Sequence, residues 1–370
     1  MTRAALVIGA ALALGGCAGT TTKPVAPAVG HVFVIVLENQ PFERTFGADS
    51  PAPYLARELT SKGTLLRRYF GIGHFSLGNY IALISGQAPN PATQADCRMF
   101  EEFVPSAPGL DADGQVRGSG CVYPAIVKTL PDQLETAGYT WKGYMEDMGR
   151  DPAREAATCG HAAIGTRDPT NHATPTDQYA DKHDPFIYFH SIIDDPVRCG
   201  RSVVNLDALA ADLGSVATTP NFAFISPNLC HDGHDAPCRS MGPDGSPEPG
   251  GLVSADAFLR EWVPRILASP AFRTDGLLVV TFDEGVFDSS ACCGEKPLGD
   301  GPAPGMDGPG GGRIGAVLIG PRVRAGAVSD ADYNHYSLLR WIEDDFGLGH
   351  LGYAAAPGLA TFGEDVFAPH

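Results

Sequence analysis

The sequence predicts an α/β fold with a mostly parallel central sheet and helices on both faces. Two features predict it. Six apolar runs are near-continuously hydrophobic, the pattern of strands covered on both sides. They alternate along the chain with segments whose apolar residues recur at helical spacing. A third feature describes the loops: 45 Gly and 31 Pro in 370 residues, with Pro/Gly/Asp-rich stretches that carry cysteines, predict disulfide-bearing insertions.

Taken in order, residues 1–17 read as an export leader: Arg3, the apolar "AALVIGAALAL", then "LGGC" ending at Cys17. Small residues before a cysteine resemble a bacterial lipobox, in which Cys17 is lipidated and becomes the new N-terminus. Localisation is therefore expected to be exported, periplasmic or outer-membrane, with the membrane reached only through a lipid anchor on Cys17. Residues 18–29 read as a flexible linker, and 30–370 as one domain. Strands are expected at 31–38, 64–70, 140–145, 221–227, 276–282 and 314–320. Helices are expected at 53–63, 79–87, 129–138, 205–214, 255–269 and 334–347. Stretches at about 88–125 and 147–200 read as insertions, and 286–313 as a mobile loop.

Eight cysteines remain after the leader, an even number that suits disulfides in an exported chain. Proximity favours Cys97 with Cys121 and Cys159 with Cys199. Adjacent Cys292 and Cys293 are expected to take separate partners, because a ring between neighbours is strained. The formal net charge of −17 becomes −18 without Arg3, which argues against nucleic-acid binding. It also gives no long-range help to an anionic substrate, so local donors or a metal must hold one.

Ligands of such sheets bind beyond the carboxyl ends of the strands, so the residues there are the candidates. Glu38 and Asn39 follow the first strand; His74, Ser76 and Asn79 follow the second. His231, Asp232, His234 and Asp235 follow "FAFISPN", and Asp283 and Glu284 end "LLVVTF". His335 opens the last helix. Two adjacent carboxylates at the end of a buried strand repel each other and resist desolvation, costs a divalent cation relieves. A solvent-exposed acidic turn is the other reading of that pair. Ser76 reads either as a nucleophile or as a helix cap. Without a G-x-S-x-G turn a Ser-His-Asp triad fits poorly, but a metal can lower a hydroxyl pKa without a histidine base.

The ordered blocks "HVFVIVLENQPFERTFG", "HFSLGNYIALISG", "FAFISPNLCHDGHD", "LLVVTFDEG" and "YNHYSLLRWIEDDFG" resemble the phosphoesterase family of bacterial acid phosphatases and phospholipases C. That family lies in the alkaline-phosphatase-like superfamily. "WKGYMEDM" and "KHDPFIYF" look like further family blocks. The resemblance implies an alkaline-phosphatase-like α/β fold and phosphate-ester hydrolysis through a phosphoserine. It places Ser76 as nucleophile, Glu38, Asn39, Asp283 and Glu284 as metal ligands, and Asn79 as a donor to a phosphoryl oxygen. His231, His234 and His335 become phosphate contacts or ligands of a second metal, with His335 a candidate acid or base. Gly78 stands where proline is more usual, and His231 where asparagine is as frequent.

The expected cofactor is a divalent ion, Mg, Ca, Mn or Zn, one or two in number. The expected partner is a small phosphate ester or a phospholipid head group. A phosphomonoesterase of acid phosphatase type leads. A phospholipase C or other phosphodiesterase with the same site is the alternative. A non-catalytic, ligand-binding surface lipoprotein is the alternative from another class. A sulfatase is disfavoured because no C-x-P-x-R or S-x-P-x-R segment occurs.

Overall fold

In a computed structural model, residues 1–2, 28–242 and 244–369 are described. Residues 3–27, with Cys17, the rest of the leader and most of the linker, lie outside these residues.

The eight-stranded sheet is built from β1 (His31–Leu37), β2 (Thr64–Leu66), β3 (Trp141–Met145), β4 (Val203–Asn205), β5 (Phe222–Ser226), β6 (Gly276–Phe282), β7 (Ala316–Ile319) and β8 (Ala327–Ser329). Their spatial order is β8-β2-β7-β6-β1-β5-β3-β4. Only β7 runs against the others. β1 lies at the centre between β5 and β6, and all seven of its residues are buried. This is why it reads as an unbroken apolar run: each fully buried Val, Ile or Phe there contributes about 1.5–3 kcal/mol.

Four helices carry the argument: α1 (Ser76–Ser85), α2 (Leu130–Thr136), α3 (Gly251–Ala268) and α4 (His335–Phe346). The predicted helix at 53–63 forms as a wider-pitched turn, Tyr54–Leu59, running into Thr60–Lys62. The predicted helix at 205–214 is short, Leu206–Ala208 then Leu209–Asp212.

Pairing register positions the candidate residues. Leu37 pairs with Phe282, so Glu38 and Asp283 leave neighbouring parallel strands at the same level. Ser226 pairs with Met145, which brings the 228–235 loop and Glu146 to the same edge. The expectation for 64–70 is corrected: β2 stops at Leu66, and Tyr69–Phe70 pair instead with Tyr333–Asn334 beneath α4. The short β4 and β8, and a hairpin of Val104–Leu110 with Val116–Ser119, are additions that periodicity did not expose.

Cys97–Cys121 and Cys159–Cys199 pair as expected, and Cys230–Cys238 closes the 228–235 loop. The expectation for Cys292 and Cys293 is corrected: they bond to each other. The other six have paired off, and Glu295 fastens this turn by accepting from the Cys293 N–H at 3.0 Å. The 286–313 loop is tied to the chain around Ser76. Pro304 O accepts from His74 N, Gly311 N donates to Gly71 O, and Gly71 N donates to Gly312 O. Gly311 is needed for that approach, since a Cβ there would sit 2.4 Å from Gly73 O.

Candidate active site

Ser76 is the first residue of α1, and the turn before it is strained. Phe75 holds φ 70°, ψ 129°, a conformation L-residues seldom adopt, at a cost of roughly 1–3 kcal/mol. The helix N-terminus is served from elsewhere. Asp96 Oδ1 accepts from Leu77 N at 3.2 Å, and Glu284 Oε1 from Phe75 N at 3.1 Å. The Ser76 hydroxyl is therefore not spent on capping; it donates to Glu38 Oε2 at 2.8 Å.

Glu38 is completely buried and also accepts from Tyr80 OH and Asn39 Nδ2, each at 2.8 Å. Burial alone would raise its pKa, but His183, 3.4 Å away, and Lys182 hold it down at about 2. Asn39 adopts φ 57°, which swings its N–H onto Asp283 Oδ1 at 2.9 Å. Asp283 and Asp232 are pushed well above the carboxylate range, first by burial and then by the Glu38 charge. The Oδ2 atoms of both are buried without a hydrogen-bond partner.

The site thus unites Glu38, Asn39, Ser76, Asp283 and Glu284. Glu284 is committed to the turn before Ser76, one oxygen to Phe75 N and the other to His74. Three other expected residues are bonded within the fold. The Asn79 amide is fully used by the turn: its Oδ1 accepts from Ile72 N and Gly73 N, and its Nδ2 donates to Gly73 O at 2.9 Å and Phe75 O at 3.4 Å. His335 is completely buried, with Nε2 donating to Asp283 O at 2.7 Å and Nδ1 facing Tyr69 OH at 3.2 Å. Burial favours its neutral form, pushing its pKa down to about 4, and its bond to the Asp283 carbonyl braces the end of β6. His231 bonds Glu146 Oε1 at 2.8 Å, packs near Phe258, and stands outside the cleft that Ser76 lines.

That cleft, of about 290 Å³, is lined by Asn39, His74, Phe75, Ser76, Asp96, Lys182, His234 and Glu284. A larger hollow of about 640 Å³ lies between α2 and Gly347–Gly349, where Asp132 and Glu135 pair with Arg198. Gly78 admits Pro89 beneath α1, since a Cβ there would stand 3.0 Å from Pro89 Cγ.

The residues that sequence reasoning did not assign are Lys182, His183, Asp96, Asp232 and His74. Lys182 Nζ meets Asp96 Oδ2 at 3.2 Å. His183 stacks on Tyr80, ring centroids 5.2 Å apart, between Glu38 and Asp232, and neither of its ring nitrogens has a hydrogen-bond partner. The signal was the "KHDPFIYF" block, quoted but left without a role.

The donor chemistry fits a hard divalent cation. Buried carboxylates of like charge, an Asp283 Oδ2 without a hydrogen-bond partner among the described residues, and the nearby Asn39 amide are oxygen ligands whose crowding a cation would relieve. The cysteines lying near Glu248 and Glu295 are all in disulfides and offer no thiolate.

Residues 49–349 match the phosphoesterase family. The chain belongs to that family. Among its relatives, an acid phosphatase of Aspergillus fumigatus is 24% identical over 90% of this chain and 60% of its own length. A phosphatidylinositol-3-phosphatase of Mycobacterium tuberculosis is 24% identical over 92% of this chain and 84% of its own. This phosphoesterase therefore spans about 60% of the length of the fungal relatives it matches. The crystal structure of Ps i-CgsB shares its fold, with a TM-score of 0.50 and 13% identity over 90% of this chain and 75% of that one.

Proposed function

We propose that this phosphoesterase is a metal-dependent phosphate-ester hydrolase of acid phosphatase type, acting through a phosphoserine at Ser76. The observation that carries this reading is the Ser76 hydroxyl, free of any capping role, donating to buried Glu38 at the edge of a cleft. The family and the relatives named as phosphatases support it.

The Ser76 hydroxyl gives up its proton by way of Glu38 to water, and its oxygen attacks phosphorus as the ester oxygen departs and takes up a proton, giving phosphoserine and an alcohol. Water then cleaves phosphoserine to inorganic phosphate and returns the proton to Ser76. Glu38, with a pKa of about 2, stays ionised in acid and orients the hydroxyl, yet is too weak a base to keep its proton. Glu38, Asn39, Asp283 and Ser76 would hold a divalent cation. Once bound, it supplies Lewis acidity that lowers the serine pKa and offsets phosphoryl charge. The oxygen-rich set favours Mg, Ca or Mn over Zn. His234, half exposed and lining the cleft, would protonate the departing alcohol.

The substrate is a soluble phosphate ester or a phosphorylated lipid head group, the latter motivated by the relative named for phosphatidylinositol 3-phosphate. The decisive experiment is p-nitrophenyl phosphate hydrolysis by wild type and Ser76→Ala, each with EDTA and with metal restored. Turnover that EDTA stops and Ser76→Ala lacks supports the reading; equal turnover by the variant removes Ser76 as nucleophile. The leader further motivates an exported, lipid-anchored placement, which acyl labelling of wild type against Cys17→Ala tests.

A further inference from the structure

We propose that Lys182, held by Asp96, is the cation that makes this cleft select phosphomonoesters over phosphodiesters. The inference rests on the reading of Ser76 as nucleophile and adds the substrate class.

Lys182 and Asp96 both line the cleft with Ser76, and their side chains are each only 12% exposed. Asp96 joins the two: its Oδ2 meets Lys182 Nζ at 3.2 Å while its Oδ1 accepts from Leu77 N, the residue after Ser76. One carboxylate thus fixes the ammonium relative to the nucleophile's helix. Asp96 is itself rigidly set, at φ 52°, next to the Cys97–Cys121 disulfide. Lys182 is followed by His183, which is buried between Glu38 and Asp232. Both ends of the pair are anchored before any substrate arrives.

An ammonium has three N–H donors, and Asp96 takes one. Of the other charged or imidazole groups lining the cleft, Asp96 and Glu284 are carboxylates and His74 is bonded to Glu284, while His183 lies behind Glu38, buried between it and Asp232, and does not line the cleft. His234 lies further out and half exposed beside Asp235. Lys182 is therefore the cation of this cleft with donors to spare.

A monoester brings up to two negative charges and three non-bridging oxygens. A diester brings one charge, two such oxygens and a second carbon-bearing group. A fixed, poorly hydrated ammonium gains most from the third oxygen and its extra charge. Against a diester the same ammonium would face an ester group and lose hydration without replacement, the unpaired-charge penalty that makes a binding site reject a near-isostere. In a chain of net charge −17 the cation must be local, because the long-range field repels a dianion.

The test compares p-nitrophenyl phosphate with bis-p-nitrophenyl phosphate, using full-length wild type, Lys182→Met, Lys182→Arg and Asp96→Asn with added Mg or Mn. Lys182→Met should lower kcat/KM for the monoester roughly 100-fold and for the diester less than about 10-fold. Lys182→Arg should restore most of the monoester rate. Asp96→Asn keeps an acceptor for Leu77 N and loses the charge pair, so it should raise the monoester KM by about 3- to 10-fold. An equal loss on both esters, or no loss, overturns the proposal. A second arm titrates inorganic phosphate into Ser76→Ala and into Ser76→Ala with Lys182→Met. Binding at least about 10-fold weaker in the double variant supports the anchor, and equal binding overturns it. If Ser76→Ala still turns over both esters, the nucleophile reading fails while the phosphate titration still decides Lys182. Thermal melting of each variant separates lost folding from lost selectivity.

Discussion

Ser76 Oγ and Glu38 Oε2, 38 residues apart in sequence, lie 2.8 Å apart in a buried hydrogen bond. Glu38 Oε1 receives a second hydroxyl, that of Tyr80, from the next turn of the same helix. Ser76→Ala should cost at least about 1,000-fold in kcat/KM, as loss of a nucleophile does. Tyr80→Phe leaves the nucleophile in place and removes one donor to Glu38. It should cost only about 3- to 30-fold in kcat, read from steady-state kinetics on p-nitrophenyl phosphate. A Tyr80→Phe loss as large as that of Ser76→Ala would mean that Glu38 rather than Ser76 limits the reaction.

Metal binding is measurable without turnover. In Ser76→Ala stripped with EDTA, adding Mg, Ca or Mn should raise Tm in proportion to the logarithm of metal concentration, because only the folded chain assembles the ligands. Asp283→Asn should abolish most of that shift. Its own apo form should be no less stable than apo wild type, since a buried carboxylate with an unpartnered oxygen has been neutralised. An Asp283→Asn protein that keeps the full metal-dependent rise would remove Asp283 from the ligand set.

His335 braces the strand end that carries Asp283, through its Nε2 bond to the Asp283 carbonyl. His335→Gln can keep that donor but not the ring packing against Tyr69. Tm should fall by several degrees, on the order of 2–4 °C per kcal/mol lost in a chain of this class. The logarithm of kcat should keep its wild-type pH profile. A displaced acidic or basic limb in that profile would restore His335 to proton transfer.

The central strands were legible because a strand buried on both faces leaves an unbroken apolar run, as "GLLVVTF" does for the whole of β6. The carboxyl-end rule then pointed to Glu38 and Asp283, which the parallel register sets side by side, and to Ser76, which reaches Glu38 from the start of α1. What stayed hidden was the direction of polar side chains. Asn79 and His335 stand next to the site in sequence, yet their hydrogen bonds run back into the fold. Lys182 lies in a single 3₁₀ turn and Asp96 closes another, elements too short for periodicity to mark an inward face. The Cys292–Cys293 bond was misjudged because neighbour strain was weighed without counting the partners already taken.

Glu343 provides a test of stability against pH, remote from the cleft. It lies in α4 with Oε1 accepting from Leu351 N at 2.9 Å, while Oε2 is buried without a partner. Burial, and then the neighbouring Asp344 charge, push its pKa from 4.5 up to about 9. Between those values the folded chain holds a proton that the unfolded chain has released. The Glu343 contribution is therefore fully present below about pH 4.5 and is lost as pH rises towards 9. Glu343→Gln keeps an acceptor for Leu351 N and carries no charge at any pH. Relative to wild type its Tm should be higher at pH 8, by about 2 °C or more, and little changed at pH 4.5. The difference between the two melting curves, taken across pH 4.5 to 8.5, should grow steadily with pH. A flat difference would mean that Glu343 ionises normally and that water reaches its free oxygen.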